Sequence, residues 1–306
     1  SFISFGLAKN LIFLFICRFL QGIFSSAAMP TAQAYVADAT KKEERTKFMG
    51  RLGAATALGF ILGPAFGGLL SHGGFQLPFF VAAAISFLNF LFVLFWLPEI
   101  VSKKKELFVA KEGLFNFSRV WRGLKSSLFP YFIMLFLWSY GLSNNQVAIP
   151  LLGMEKLKLS SASIGWLFTL MSVTSVIIQG LFLGKINRKF REVRIAKIGL
   201  FIMALGLFLM AFSGSFIFLA LTMIILAMGS AFSRPTLNSI ISKSTPESQG
   251  VSMGTATSFE AMGRILGPLT GGFLFQHFQG FGPFWMASSL IFIFLLSHRN
   301  KQKAAS

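Results

Sequence analysis

Charge is scarce in this chain of 306 residues: charged side chains make up 12% of it against 54% hydrophobic, and Asp and Glu together number only 10. That balance excludes an ordinary soluble domain, in which about a quarter of the residues are charged. The shortage of acids leaves a formal net charge of +18, yet the basic residues stand between apolar runs and form no polar surface, which excludes a nucleic-acid binder. Cysteine is almost absent. The single Cys17 lies inside an apolar run and admits neither a disulfide framework nor a CxxC metal site. His72, His277 and His298 are scattered through loops and run ends, without the spacing of metal ligands. There is no GxxxxGK[ST] phosphate loop and no nucleophile with a matching base. Nucleotide-driven pumping and enzymatic chemistry are therefore not indicated, and no cofactor is expected.

What the chain has in quantity is hydrophobic length. Runs able to cross roughly 30 Å of hydrocarbon lie at 11–37, 52–71, 77–97, 127–152, 160–184, 194–213, 215–240, 253–276 and 282–297, nine complete spans. Residues 1–8 are apolar but too short to cross and read as the end of a tenth, so a fragment of a longer protein is expected. Lys and Arg set the orientation. The segments 38–51, 98–126, 185–197 and 234–250 and the tail after 297 hold 5, 7, 6, 2 and 3 of them, while the opposite loops hold only Lys9, Lys156 and Lys158. The 38–51 side and the C-terminus are thus expected in the cytoplasm, and Arg18 and Arg264 are counted inside spans.

Residues 49–70, MGRLGAATALGFILGPAFGGLL, and 253–274, MGTATSFEAMGRILGPLTGGFL, are one helix written twice. Gly59, Gly63 and Gly67, or Gly263, Gly267 and Gly271, fall four apart on one face, where a missing Cβ lets another backbone approach. Gly68 and Gly272 follow the third glycine of each stripe, and Pro64 and Pro268 should bend their helices. From the first copy to the second there are six crossings, so both copies run in the same direction and the repeat is six spans long.

The pattern GxxxGPxxGG resembles the antiporter motif in the fifth helix of proton-coupled drug exporters of the major facilitator superfamily, and the second copy falls at the eleventh helix. The resemblance implies an all-α membrane protein of two six-helix halves. The first half, 1–97, is incomplete by about two and a half spans; 98–126 is a cytoplasmic linker, and 127–306 is the second half. Within the linker, Leu114, Phe117, Trp121, Leu124 and Leu128 recur at helical spacing, which fits a helix on the inner leaflet as well as a plain solvated linker. The 306 residues alone are not expected to transport.

Ionisable residues inside spans are the functional candidates. Arg18, in Leu14-x3-Arg18-x2-Gln21-Gly22, resembles the family's fourth-helix motif, which implies a part in proton transfer; from spacing alone, a snorkelling or structural Arg fits equally. Asp38 closes the same run, where it can cap the loop or meet Lys41 and Lys42. The resemblance assigns it to a charge network whose usual basic loop is missing from this sequence. Residues 184–191 resemble the degenerate second copy of that loop, with Arg188 where an acid belongs and Arg191 where a glycine belongs, and read more simply as a positive-inside anchor. Glu260 and Arg264, four apart, can pair along one helix face, as a structural ion pair or as a proton-coupling group. The polar stretch from Gly141 through Ser143, Asn144 and Asn145 to Gln146 interrupts the 127–152 run, with Trp138 and Tyr140 just before it. With Gln33 and Asn238, on helices that line the family's central cavity, they are expected to form the substrate site.

The expected function is proton-driven efflux of drugs or other small organic molecules. The proton gradient would supply the energy, and the partners are the bilayer of the inner membrane, the substrate and protons. A monomer is expected. An importer of a sugar, organic acid or siderophore, and a non-transporting membrane sensor, are the alternatives.

Overall fold

Two of the long apolar runs already carry the means to fold differently from a single straight helix. In the computed structural model, which describes residues 1–40, 42–98, 128–244, 249–278 and 280–303, the 11–37 run is two helices: α2, Leu11–Ser25, and α3, Ala28–Ala39, after a short α1, Phe2–Gly6. The Asn10 side chain caps α2 by accepting from the Phe13 amide at 2.8 Å. At its other end Ser25 Oγ donates to the Gln21 carbonyl and Ser26 Oγ to the Ile23 carbonyl, at 2.6 and 2.8 Å. Such back-bonding competes with the backbone ladder, and Pro30, without an amide hydrogen, cannot donate back to Ser26. Hydropathy sees only a continuous run there.

The polar segments shrink for the opposite reason. Helix α4 spans Lys42–Leu70, so most of the expected 38–51 loop is helical. After a 3-10 turn at Ser71–Gly73 and Gly74 at φ 110°, α5 covers Leu77–Trp96. The second half has α6, Phe129–Glu155; α7, Ser161–Ile177, continued by a π turn at Ile178–Phe182 into α8, Leu183–Lys189; α9, Glu192–Met210; α10, Phe216–Ser244; α11, Gln249–His277; and α12, Gly282–Lys303. Helices α4 and α11 continue without interruption through Pro64 and Pro268. The linker helix expected around Leu114–Leu124 lies outside the described residues.

The chain divides into two compact units, Ser1–Lys111 and Glu112–Ser306. They are packed very differently inside. In the second unit Phe132, Leu135, Leu152, Leu200, Leu207 and Phe284 are all but inaccessible, and the core joins α6, α7, α9, α10, α11 and α12. In the first unit, Cys17 and Ala65 are the buried hydrophobic side chains among the described residues, and α5 buries none of its own. Three spans cannot enclose a core as six do.

Five stretches are long and apolar enough by composition to cross a membrane: Lys47–Gly73, Leu77–Trp96, Ser161–Lys189, Glu192–Met210 and Phe216–Lys243. Helices α6 and α11 are of comparable length, 27 and 29 residues, but carry SYGLSNNQ and TSFEAMGR in mid-helix. Polar groups at that depth need protein partners, and these two helices find several of theirs on each other and on α10.

Candidate functional site

The face-to-face contact of α6 and α11 is built on the second glycine stripe. A Cβ on Gly263 would lie 2.7 Å from the Phe136 carbonyl oxygen and the Tyr140 nitrogen, one on Gly267 would lie 2.8 Å from the Tyr140 carbonyl oxygen, and one on Gly271 would lie 3.2 Å from Asn144 Oδ1. Backbone thus meets backbone over two turns. Hydrogen bonds fix the register: Ser139 Oγ donates to the Glu260 carbonyl at 2.7 Å, and the Tyr140 and Thr270 hydroxyls are 2.8 Å apart.

At one end of this contact stands a charge site joining three helices. The Glu260 carboxylate of α11 accepts from Nε and Nη2 of Arg234 of α10, both at 3.2 Å, a fork-on-fork pairing. The Arg234 guanidinium lies over the ring of Trp138 of α6, 5.2 Å from its centroid, and Trp138 Nε1 donates to Ser230 Oγ at 2.9 Å, one turn before Arg234. The two charges are unequally solvated. The Glu260 side chain is 7% exposed and that of Arg234 50%, so the anion depends on its partner far more than the cation does.

This corrects the expected pairing of Glu260 with Arg264. Helix α11 turns Gly263 and Gly267 towards α6 and Glu260 towards α10, which leaves Arg264 exposed. Arg234 is the partner that spacing misses: it stands at the edge of the 234–250 segment of loop cations, yet lies well inside α10. The available signal was its position within the 215–240 run, roughly 13 Å in from Lys243 at 1.5 Å per residue.

The other candidates are placed as follows. Asn144 and Asn145 are fully buried: Asn144 lies against Gly271 with neither amide atom partnered, and Asn145 Nδ2 donates to Met223 Sδ at 3.7 Å with its oxygen unpartnered. In this conformation neither reaches the surface of its unit, whereas the next residue, Gln146, is exposed and Asn238 is partly exposed. In the first unit Arg18 donates to Gln21 Oε1 at 3.0 Å and lies 4.8 Å over the ring of Phe5. Gln33 and Asp38 are exposed on α3, Lys41 lies outside the described residues, and Arg18 and Asp38, on different helices, share no contact. The first glycine stripe behaves unlike the second: added Cβ atoms on Gly59, Gly63 and Gly67 meet nothing within 4 Å. Among the described residues, no group of three or more His, Cys, Asp and Glu is placed to hold a metal.

Membrane-length helices, two of them packed through a glycine stripe with an ion pair beside the contact, define a helical membrane protein. The Major Facilitator Superfamily family model matches this chain twice, over residues 1–144 and 131–303, and the chain belongs to that family. It is 30% identical over 280 residues to multidrug resistance protein 2 of Bacillus subtilis, covering 90% of this chain and 70% of that protein. It is 26% identical over 284 residues to the quinolone resistance protein NorA of Staphylococcus aureus, covering 92% and 72%. In fold it is similar to the human organic anion transporter MFSD10, with TM-score 0.68 and 22% identity, over 96% of this chain and 73% of that one.

Proposed function

We propose that this transporter exports small organic molecules of the multidrug class across the inner membrane in exchange for protons, with Glu260 as the proton-carrying carboxylate and Arg234 as its movable counter-charge. The pairing of a nearly inaccessible carboxylate with a half-exposed guanidinium carries this reading. An engaged Arg234 supplies the buried carboxylate with its charged hydrogen-bond partner. Any event that draws the guanidinium away, such as substrate contact or movement of α10 against α11, leaves a buried carboxylate without its partner, and in this reading a proton takes the guanidinium's place. Proton uptake and helix movement are then two descriptions of one step. The duplicated glycine-proline helix and the multidrug resistance relatives support the direction and the substrate class. Arg18 and Asp38 would extend the charge relay in the first half, and Gln33, Trp138, Tyr140, Asn144, Asn145, Gln146 and Asn238 would serve the cavity as the halves rock. The working unit is a monomer with its C-terminus in the cytoplasm.

The test is pH-driven flux of a lipophilic cation in everted vesicles carrying the gene's full product. Export coupled to proton entry that is lost in Glu260→Gln, with substrate binding retained, is the expected result. Unchanged coupling in that variant removes Glu260 from the mechanism, substrate leaving the vesicle lumen rather than accumulating in it identifies an importer, and no substrate-dependent flux at all identifies a sensor.

A further inference from the structure

At the start of α9, on the side that Lys and Arg mark as cytoplasmic, two hollows adjoin. One, of about 500 Å³, is lined by Arg191, Val193, Arg194 and Lys197 together with Tyr131 of α6. The other, of about 380 Å³, is almost wholly apolar, lined by Ile186, Phe190, Ile195, Ile198, Ile202 and Phe232, and shares Arg194 with the first. Phe190 and Ile198 are about half exposed. Arg191, Arg194 and Lys197 stand three apart and Ile195, Ile198 and Ile202 follow the helix inwards, so a cationic cup opens onto an apolar furrow that extends roughly 12 Å along the helix from Arg194 to Ile202.

The described carboxylates of the second unit do not serve Arg191 or Arg194. Glu192, next to the cup, accepts instead from Lys243 Nζ at 2.6 Å and Ser239 Oγ at 3.0 Å; Glu260 is held by Arg234; and Glu155 is at the far end of α6 from Tyr131. Among the described residues neither arginine has an ion pair. A membrane protein that places cations at the headgroup level and an apolar groove directly beneath them matches one available molecule in both chemistries.

We propose that this is a binding site for an anionic glycerophospholipid, with the phosphoryl headgroup on Arg191, Arg194 and Lys197, the Tyr131 hydroxyl beside it, and one acyl chain in the Ile186–Phe232 furrow. Charge selects the headgroup and the furrow holds the chain. The occupant bridges α6, α8, α9 and α10 at their cytoplasmic ends.

The experiment titrates the purified full chain in detergent with phosphatidylglycerol, phosphatidylcholine of the same acyl chains, and acyl-free glycerophosphoglycerol, with bound molecules counted by native mass spectrometry. Phosphatidylglycerol is retained over phosphatidylcholine, and glycerophosphoglycerol is not retained. The variant R191Q/R194Q weakens phosphatidylglycerol by roughly thirtyfold, from about one exposed cation's worth of attraction at each position, and leaves phosphatidylcholine unchanged; R191K/R194K keeps most of the preference. Ile198→Asn weakens both lipids alike. Undiminished phosphatidylglycerol preference in R191Q/R194Q overturns the site, and binding of glycerophosphoglycerol as tight as that of the lipid overturns the lipid assignment in favour of a free phosphoryl ligand.

Discussion

Glu260 and Arg234 form one ion pair but not an even one, and the asymmetry decides what substitutions do. Removing the cation strands a carboxylate that is 7% exposed, whereas removing the anion leaves a guanidinium that is half exposed and still lies over Trp138. Arg234→Gln should therefore destabilise the protein by about 3–5 kcal/mol, the cost of an uncompensated buried charge, and Glu260→Gln by only about 1 kcal/mol, the scale of a partly exposed pair. Thermal unfolding in detergent measures both. The double variant should be close to Glu260→Gln alone, since the stranded charge is then gone. Equal losses in the two single variants would mean that the carboxylate is solvated after all. Arg264→Gln, at an exposed position four residues away, should shift stability by no more than about 0.5 kcal/mol.

The glycine stripes act through whole elements, and the two copies make opposite predictions. On α11, Gly267→Ala puts a methyl 2.8 Å from the Tyr140 carbonyl oxygen, so α6 and α11 must separate, at about 1–3 kcal/mol. On α4, Gly63→Ala meets open space and should leave the melting of this chain unchanged. Matching losses in both would show that the first stripe is packed as tightly as the second. The stripe was legible in the sequence because glycine at every fourth position states a backbone approach within a single helix, independently of what approaches it. The pairing of Glu260 was not legible, because its partner is 26 residues away on another helix and hydropathy places Arg234 near a run's edge. Asn144 and Asn145 announced polarity in mid-span but not direction, and packing against Gly271 and Met223 turned them inwards. The break between α2 and α3 was hidden for a simpler reason: Ser25, Ser26 and Pro30 cost too little hydropathy to interrupt an apolar run.

For the whole molecule, burial is concentrated in one unit, and that bears on what each can do alone. Membrane helices gain nothing from hiding apolar surface from lipid, so association relies on close packing and on polar groups that find partners. Glu112–Ser306 has both: the glycine-lined contact of α6 with α11, the Ser139, Tyr140 and Trp138 hydrogen bonds, and the Arg234–Glu260 fork, each joining different helices. Ser1–Lys111 has few such ties among its described residues, the Tyr35 hydroxyl donating to the Pro98 carbonyl at 3.1 Å, the Phe5–Phe79 stack at 5.6 Å and Gly6 against Phe80. Expressed separately, both units should insert, since their runs satisfy the bilayer, but they should differ once in detergent. The second unit should lose near-ultraviolet circular dichroism in one cooperative step on heating, because Trp138 is held between Arg234 and Ser230. The first, whose Trp96 is 72% exposed, should show no such step and should be cut rapidly by trypsin at the exposed Lys47 and Arg51. A gradual, featureless melt of the second unit would mean that its core needs the first half for its shape, and the charge site would then belong to the assembled molecule rather than to one bundle.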